Sequence, residues 1–140
     1  MSAMWKRRLL SGFCWILSVE FLLGAFTKFQ SGPGLFGEDY AVKFTDWGYP
    51  SWFRFLVGAG ELFAAILLLV PRRAFRFIAA ATLVVILTGA VITHIANQDP
   101  ISEGISAPLH LAISAVLAWV FRPWRWRALL TPWQEPRFNQ

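Results

Sequence analysis

The sequence predicts an all-α protein, a bundle of four transmembrane helices, and three observations carry that expectation. Apolar residues make up 56% of the 140 positions, against 15% Asp, Glu, Lys and Arg. At a mean hydropathy of +0.50, the chain has too few polar side chains to cover a water-soluble globule. The apolar residues fall in four runs, each close to the ~20 residues that cross ~30 Å of hydrocarbon. Between the runs, Lys and Arg gather in short clusters, which is how topology is encoded in membrane proteins.

The first run, Leu9 to Phe29, follows Lys6, Arg7 and Arg8. Basic residues before an apolar stretch also mark a secretory signal, but Glu20 interrupts this one and no small-x-small cleavage site closes it, so it reads as a retained span. The second run, Ser51 to Val70, lies between Pro50 and Pro71, and the third, Ala74 to Asn97, follows Arg72 and Arg73. The fourth, Ser102 to Phe121, contains Pro108 and stops at Pro123. It spans only if Ser102 to Ala107 forms a first turn, where proline is tolerated. In the segment from Gln30 to Pro50, Phe36, Tyr40, Phe44 and Trp47 recur at spacings of four, four and three. That spacing predicts a short helix lying in the outer interface and capping the bundle, with Trp47, Tyr49 and Trp52 as interfacial aromatics. Trp124, Trp126, Leu129 and Leu130, interleaved with Arg125 and Arg127, predict an inner interfacial segment. Residues 1–140 read as one domain.

Ten of the thirteen Lys and Arg lie on one side of these four runs, which predicts a multi-pass protein of the bacterial inner membrane with both termini cytoplasmic. The opposite loops carry Glu38, Asp39, Asp46, Asp99 and Glu103 against Lys43 alone. A net charge of +5 would suit nucleic acid only as a basic face, and clusters beside apolar runs are no such face. The single cysteine, Cys14, excludes an intrachain disulfide, a CxxC redox pair and a Cys-rich metal site. It reads as a packing residue.

Charged groups inside hydrocarbon are costly, so those within the runs are the functional leads. They are Glu20, Lys28, Arg54, Glu61, His94 and His110. In the expected topology, Lys28, Arg54, His94 and His110 sit at the external ends, while Glu20 and Glu61 lie about 13 to 15 Å deeper at ~1.5 Å per residue. Five have a small residue one turn away: Gly24 for Glu20 and Lys28, Ala65 for Glu61, Ala90 for His94 and Ser114 for His110. Small residues mark interfaces between helices, so these groups are expected to converge on a shared cavity. Glu61, near the midplane, has to be paired with a cation or protonated. Arg54 reads equally as a headgroup-seeking side chain. A divalent metal held by Glu61, His94 and His110 would depend wholly on bundle assembly, since no HxxxH spacing is present.

The motifs GAFTKF, WGYP, GAGELFAAILLLVPRR and GAVITHIAN together resemble the DoxX family of small four-helix membrane proteins. The resemblance runs from about Leu9 to Pro123 and rests on Lys28, Gly48, Pro50, Gly60, Glu61, Pro71, Gly89 and His94. It implies an accessory subunit linked to quinone or thiol redox chemistry. It also implies distant kinship with vitamin K epoxide reductase, whose paired cysteines this chain lacks. The expectation is therefore a quinone- or redox-linked accessory with no covalent cofactor. Glu61, His94 and Lys28 would be its reactive groups, and His110, Glu20 and Arg54 would line its binding site. Activity would make it an oxidoreductase subunit dependent on a cofactor-bearing partner, since nothing in the chain matches a flavin, haem or iron–sulfur site. The competing expectation is a noncatalytic assembly factor or structural partner that meets its client through the external helix. A unit this small is also expected to form homo-oligomers.

Overall fold

The computed structural model describes residues 3–33, 39–134 and 137. Its helices are α1 (Ala3–Phe29), α2 (Tyr40–Asp46), α3 (Phe53–Leu69), α4 (Arg73–Ala96), α5 (Ile101–Gly104) and α6 (Ser106–Phe121). Two 3₁₀ turns, Trp126–Leu129 and Pro132–Gln134, follow. Three stretches, Met4–Phe29, Arg73–Ala96 and Ile101–Phe121, are long and apolar enough to cross a membrane. With 17 residues, α3 spans only about 26 Å by helix rise.

Several boundaries differ from the sequence reading. Helix α1 starts six residues before Leu9, so Lys6, Arg7 and Arg8 lie on its first turns and not ahead of it. The fourth run is two helices with Ile105 between them, and Pro108 is the third residue of α6, where it removes no intrahelical bond. Of the capping helix, Phe36 lies outside the described residues. The rest forms α2, which begins where Asp39 accepts hydrogen bonds from Ala41 N (2.7 Å) and Gly32 N (3.0 Å). It ends at Asp46, capped by Trp47, and the chain turns away at Gly48, whose φ of +82° favours glycine. Trp52 is exposed, but Trp47 and Tyr49 turn toward the protein: Trp47 Nε1 donates to Asp99 (3.1 Å) and Tyr49 Oη meets Thr93 Oγ1 (3.0 Å).

Helix α1 packs on α3, α3 on α4 and α4 on α6. The short link Val70–Arg72 makes α3 and α4 antiparallel neighbours. One end of the bundle carries Arg72, Arg73 and Arg122, with Arg73 Nε donating to Arg122 O (2.9 Å). The other carries Asp99 and Glu103, with Lys43 Nζ 2.7 Å from Glu103 Oε2. The apolar core occupies the arginine-rich half: Cys14, Leu17 and Phe21 meet Ala64, Ala65 and Leu68, Ala80 and Leu83, and Leu117 and Phe121. Alanines on α3 and α4 let the backbones close there, which leaves the acidic half less filled. Outward faces carry Val85, Ile95, Val116 and Trp119, all well exposed, as a lipid-facing surface requires.

Close approach of α1 and α3 depends on Gly58. A Cβ there would lie 3.1 Å from the Phe29 ring, 3.2 Å from Lys28 Cβ and 3.4 Å from Ala25 O. Gly58→Ala is expected to cost about 1 to 3 kcal/mol through overpacking. At Gly60 a Cβ would come closer still, 2.7 Å from Ile86 Cδ1, but that atom ends a flexible side chain and can turn away. Thermal unfolding in detergent should therefore rank Gly58→Ala well below Gly60→Ala, and the reverse order would refute this packing.

Candidate functional site

Helical periodicity carries charge into the interior. On α1 the buried positions Cys14, Leu17, Phe21, Ala25 and Lys28 form one stripe, and on α3 Arg54, Gly58, Glu61, Ala65 and Leu68 form another. The two stripes face each other, and Lys28 Nζ lies 2.9 Å from Glu61 Oε2, both side chains about nine-tenths buried. Lys28 does not reach outward. Its ammonium bends back one turn toward Gly24 O (3.4 Å) and sits 4.7 Å from the Tyr40 ring centre. Gly24 itself packs close to the pair, and a Cβ there would make ordinary van der Waals contact with Glu61 Oε2 at 3.6 Å.

Two imidazoles stand at the same end, each against a carboxylate. His94 Nδ1 lies 2.6 Å from Asp99 Oδ2, the oxygen that also accepts from Trp47 Nε1. The turn after α4, with Gln98 at φ +55°, folds Asp99 back onto its own helix end. A carboxylate at Nδ1 orients the ring and leaves Nε2 with no hydrogen-bond partner among the described residues. The Trp47 ring meets the imidazole edge-on at 5.1 Å. His110 Nδ1 lies 2.7 Å from Ser106 O, and its Nε2 lies 3.4 Å from Glu20 Oε2.

A cavity of about 1110 Å³ joins these groups. Glu20, Lys28, Glu61, His94 and His110 all line it, together with Tyr40, Phe44 and Trp47 from α2 and apolar side chains from α3 and α4. Five of the six residues singled out in the sequence thus share one chamber. Arg54 does not line it. Buried on α3, it donates from Nη1 to Lys28 O (3.1 Å) and Gln30 O, closing the carbonyl end of α1, where a cation opposes the helix dipole. Its guanidinium lies 4.4 Å from the Phe55 ring, so neither headgroups nor the chamber claims it.

Among the described residues no three His, Cys, Asp or Glu side chains gather as a metal site would need. The chamber instead offers an ammonium, carboxylates and imidazole nitrogens at one end of an apolar space. That suits a molecule with a compact polar head and an apolar body.

As loop charges, Lys43 and Glu103, which line the chamber, and above all Asp99, which orients His94, escape the sequence reading. The position of Asp99 beyond the end of α4, five residues after His94, breaks helical spacing and left no periodic signal. Trp47, expected as an interfacial aromatic, lines the chamber instead, as does Tyr40 on the capping face.

No curated protein and no solved structure matches the chain. The profile of the DoxX-like family does, over residues 13–120, a span that holds every one of the chamber's ionisable residues. This chain, an integral membrane protein, belongs to the DoxX-like family.

Proposed function

We propose that this protein crosses the bilayer four times and holds a lipid-soluble ligand of quinone type, serving as an accessory to a redox partner. Helix α3 counts as the fourth span because it packs lengthwise between α1 and α4. The basic clusters at one end support an inner membrane location with cytoplasmic termini, so that the chamber lies in the external half and α2 in the outer interface.

The observation that carries the reading is the chamber itself: about 1110 Å³ of mainly apolar wall with the Lys28–Glu61 pair inside it. Lys28 can donate to a carbonyl oxygen while Glu61 balances its charge. His94 presents Nε2 as an acceptor or, once protonated, a donor, with Asp99 fixing the ring. A bound quinone would supply the redox chemistry, and a cofactor-bearing partner would supply the electrons. The chain's own part is to bind the head, exclude bulk water and hold protons at Glu61 and His94. The assembly-factor reading would have α2 present its aromatic face to a client, but Phe44 is buried and Tyr40 and Trp47 line the chamber.

Purified protein in lipid nanodiscs is expected to bind a short-tailed benzoquinone saturably, with quenching of tryptophan emission that Trp47→Phe reduces. Glu61→Gln, which leaves the Lys28 ammonium without its counter-charge, should weaken binding by about tenfold, the ~1.4 kcal/mol of one altered charged hydrogen bond. Absence of saturable binding to the natural chain would refute the reading.

A further inference from the structure

Helices α1 and α6 would close the ring of the bundle, but among the described residues their backbones never approach closely. In the arginine-rich half, Leu17 of α1 and Leu117 and Phe121 of α6 join the common core. In the acidic half the seam is spanned by side chains: Glu20 Oε2 and His110 Nε2 lie 3.4 Å apart, and the Phe21 and His110 rings meet edge-on at 5.7 Å. All three residues line the chamber. On this side its wall is therefore made of side chains and not of packed backbone.

The polar link is suited to opening. Ser106 O can only accept, so His110 Nδ1 at 2.7 Å carries a proton. His110 Nε2 then bonds Glu20 only if a second proton lies between them, on the imidazole or on the carboxyl. The pair is long, and the Glu20 side chain is 55% exposed. Glu20 lies about 14 Å inside the end of α1 by helix rise, a depth at which acyl chains are a poor solvent for a carboxyl group. Water or a polar head group in the seam would solvate it there.

We propose that the ligand enters sideways through this seam, its head passing between Glu20 and His110 to reach Lys28 and Glu61 while its apolar tail stays between α1 and α6. The inference rests on the proposed function and adds the route and the ligand class: a tailed amphiphile already dissolved in the bilayer. The acidic end is covered by α2, tied down through Lys43–Glu103 and Trp47–Asp99. Helices α3 and α4 pack backbone to backbone, as α1 and α6 do not, although the exposed Leu56 and Val85 on that side also line the chamber and so mark the rival route.

The test uses the full chain in nanodiscs and a benzoquinone whose decyl tail ends in a photoreactive diazirine. Labels from the tail are expected on Leu23, the half-exposed chamber-lining residue of α1 that follows Glu20 by three positions. In a second arm, with Cys14→Ala as background, Glu20→Cys and His110→Cys are joined by a short bis-methanethiosulfonate, because the backbones are too far apart for a direct disulfide. That bridge should abolish uptake until reductant releases it, whereas the same bridge between Lys43→Cys and Glu103→Cys should leave uptake unchanged. Tail labels on Leu56 and Val85, or uptake blocked by the Lys43–Glu103 bridge alone, would overturn the route while leaving quinone binding intact. If the Glu20/His110 pair of substitutions fails to fold, the label map of the natural chain decides. No uptake by the natural chain removes the functional reading and the route together.

Discussion

Lys28→Met is expected to cost this protein about 3 to 5 kcal/mol of stability, the usual consequence of removing one partner from a buried ion pair. Both side chains are about nine-tenths buried at 2.9 Å, so solvent screens the interaction little. Glu61 would be left to carry an uncompensated charge or to take up a proton. The transition midpoint should fall by on the order of 10 °C. Glu61→Met added to Lys28→Met should restore most of the loss, because two apolar side chains of similar volume replace two charges that were expensive to bury. Thermal unfolding in detergent across the four-variant cycle reads this directly. Additive single losses, with no recovery in the double variant, would show that the pair is not coupled. The cycle also bears on function: a quinone-type ligand should raise the midpoint of the natural chain and not that of the double variant. A pair retained for structure alone predicts no such difference.

What could be read from the sequence followed the physics of each signal. Hydropathy located the apolar runs to within a few residues, because covering ~30 Å of hydrocarbon demands long, uninterrupted stretches. Charge inside those stretches is rare enough to single out Glu20, Lys28, Glu61, His94 and His110, all of which border one chamber, although Glu20 stands at its exposed rim and not in the interior that its neighbouring Gly24 suggested. The need of a midplane carboxyl for a cation is met by Lys28, which stands beside Gly58, one turn from Glu61, and bends its ammonium back toward Gly24 to reach the carboxylate. Arg54 looked like a member of the same site because it shares a stripe with Glu61. Its actual partners are the backbone carbonyls at the end of α1, and backbone acceptors leave no trace in residue identity.

Arg76 shows the opposite failure, in which a correct general rule concealed a particular role. Three basic residues around the α3–α4 link satisfy the positive-inside pattern, so Arg76 was counted with the loop. Its place inside the third apolar run, two residues beyond Ala74, was the signal available. The side chain is in fact fully buried: Nη1 donates to Ser11 Oγ on α1 (2.9 Å), Nε approaches Leu68 O on α3 (3.4 Å), and the guanidinium lies 5.4 Å from the Phe121 ring of α6. One residue of α4 thereby touches the other three long helices where the core is densest. Arg76→Ala is expected to destabilise by about 3 kcal/mol or more, combining an unfilled cavity with lost hydrogen bonds. Arg76→Met keeps most of the volume without a charge to desolvate, and should stay within about 1.5 kcal/mol of the natural chain. Denaturant unfolding in mixed micelles separates the two. Equal losses would mean that the guanidinium's polar contacts, and not the volume it fills, hold the arginine-rich half together.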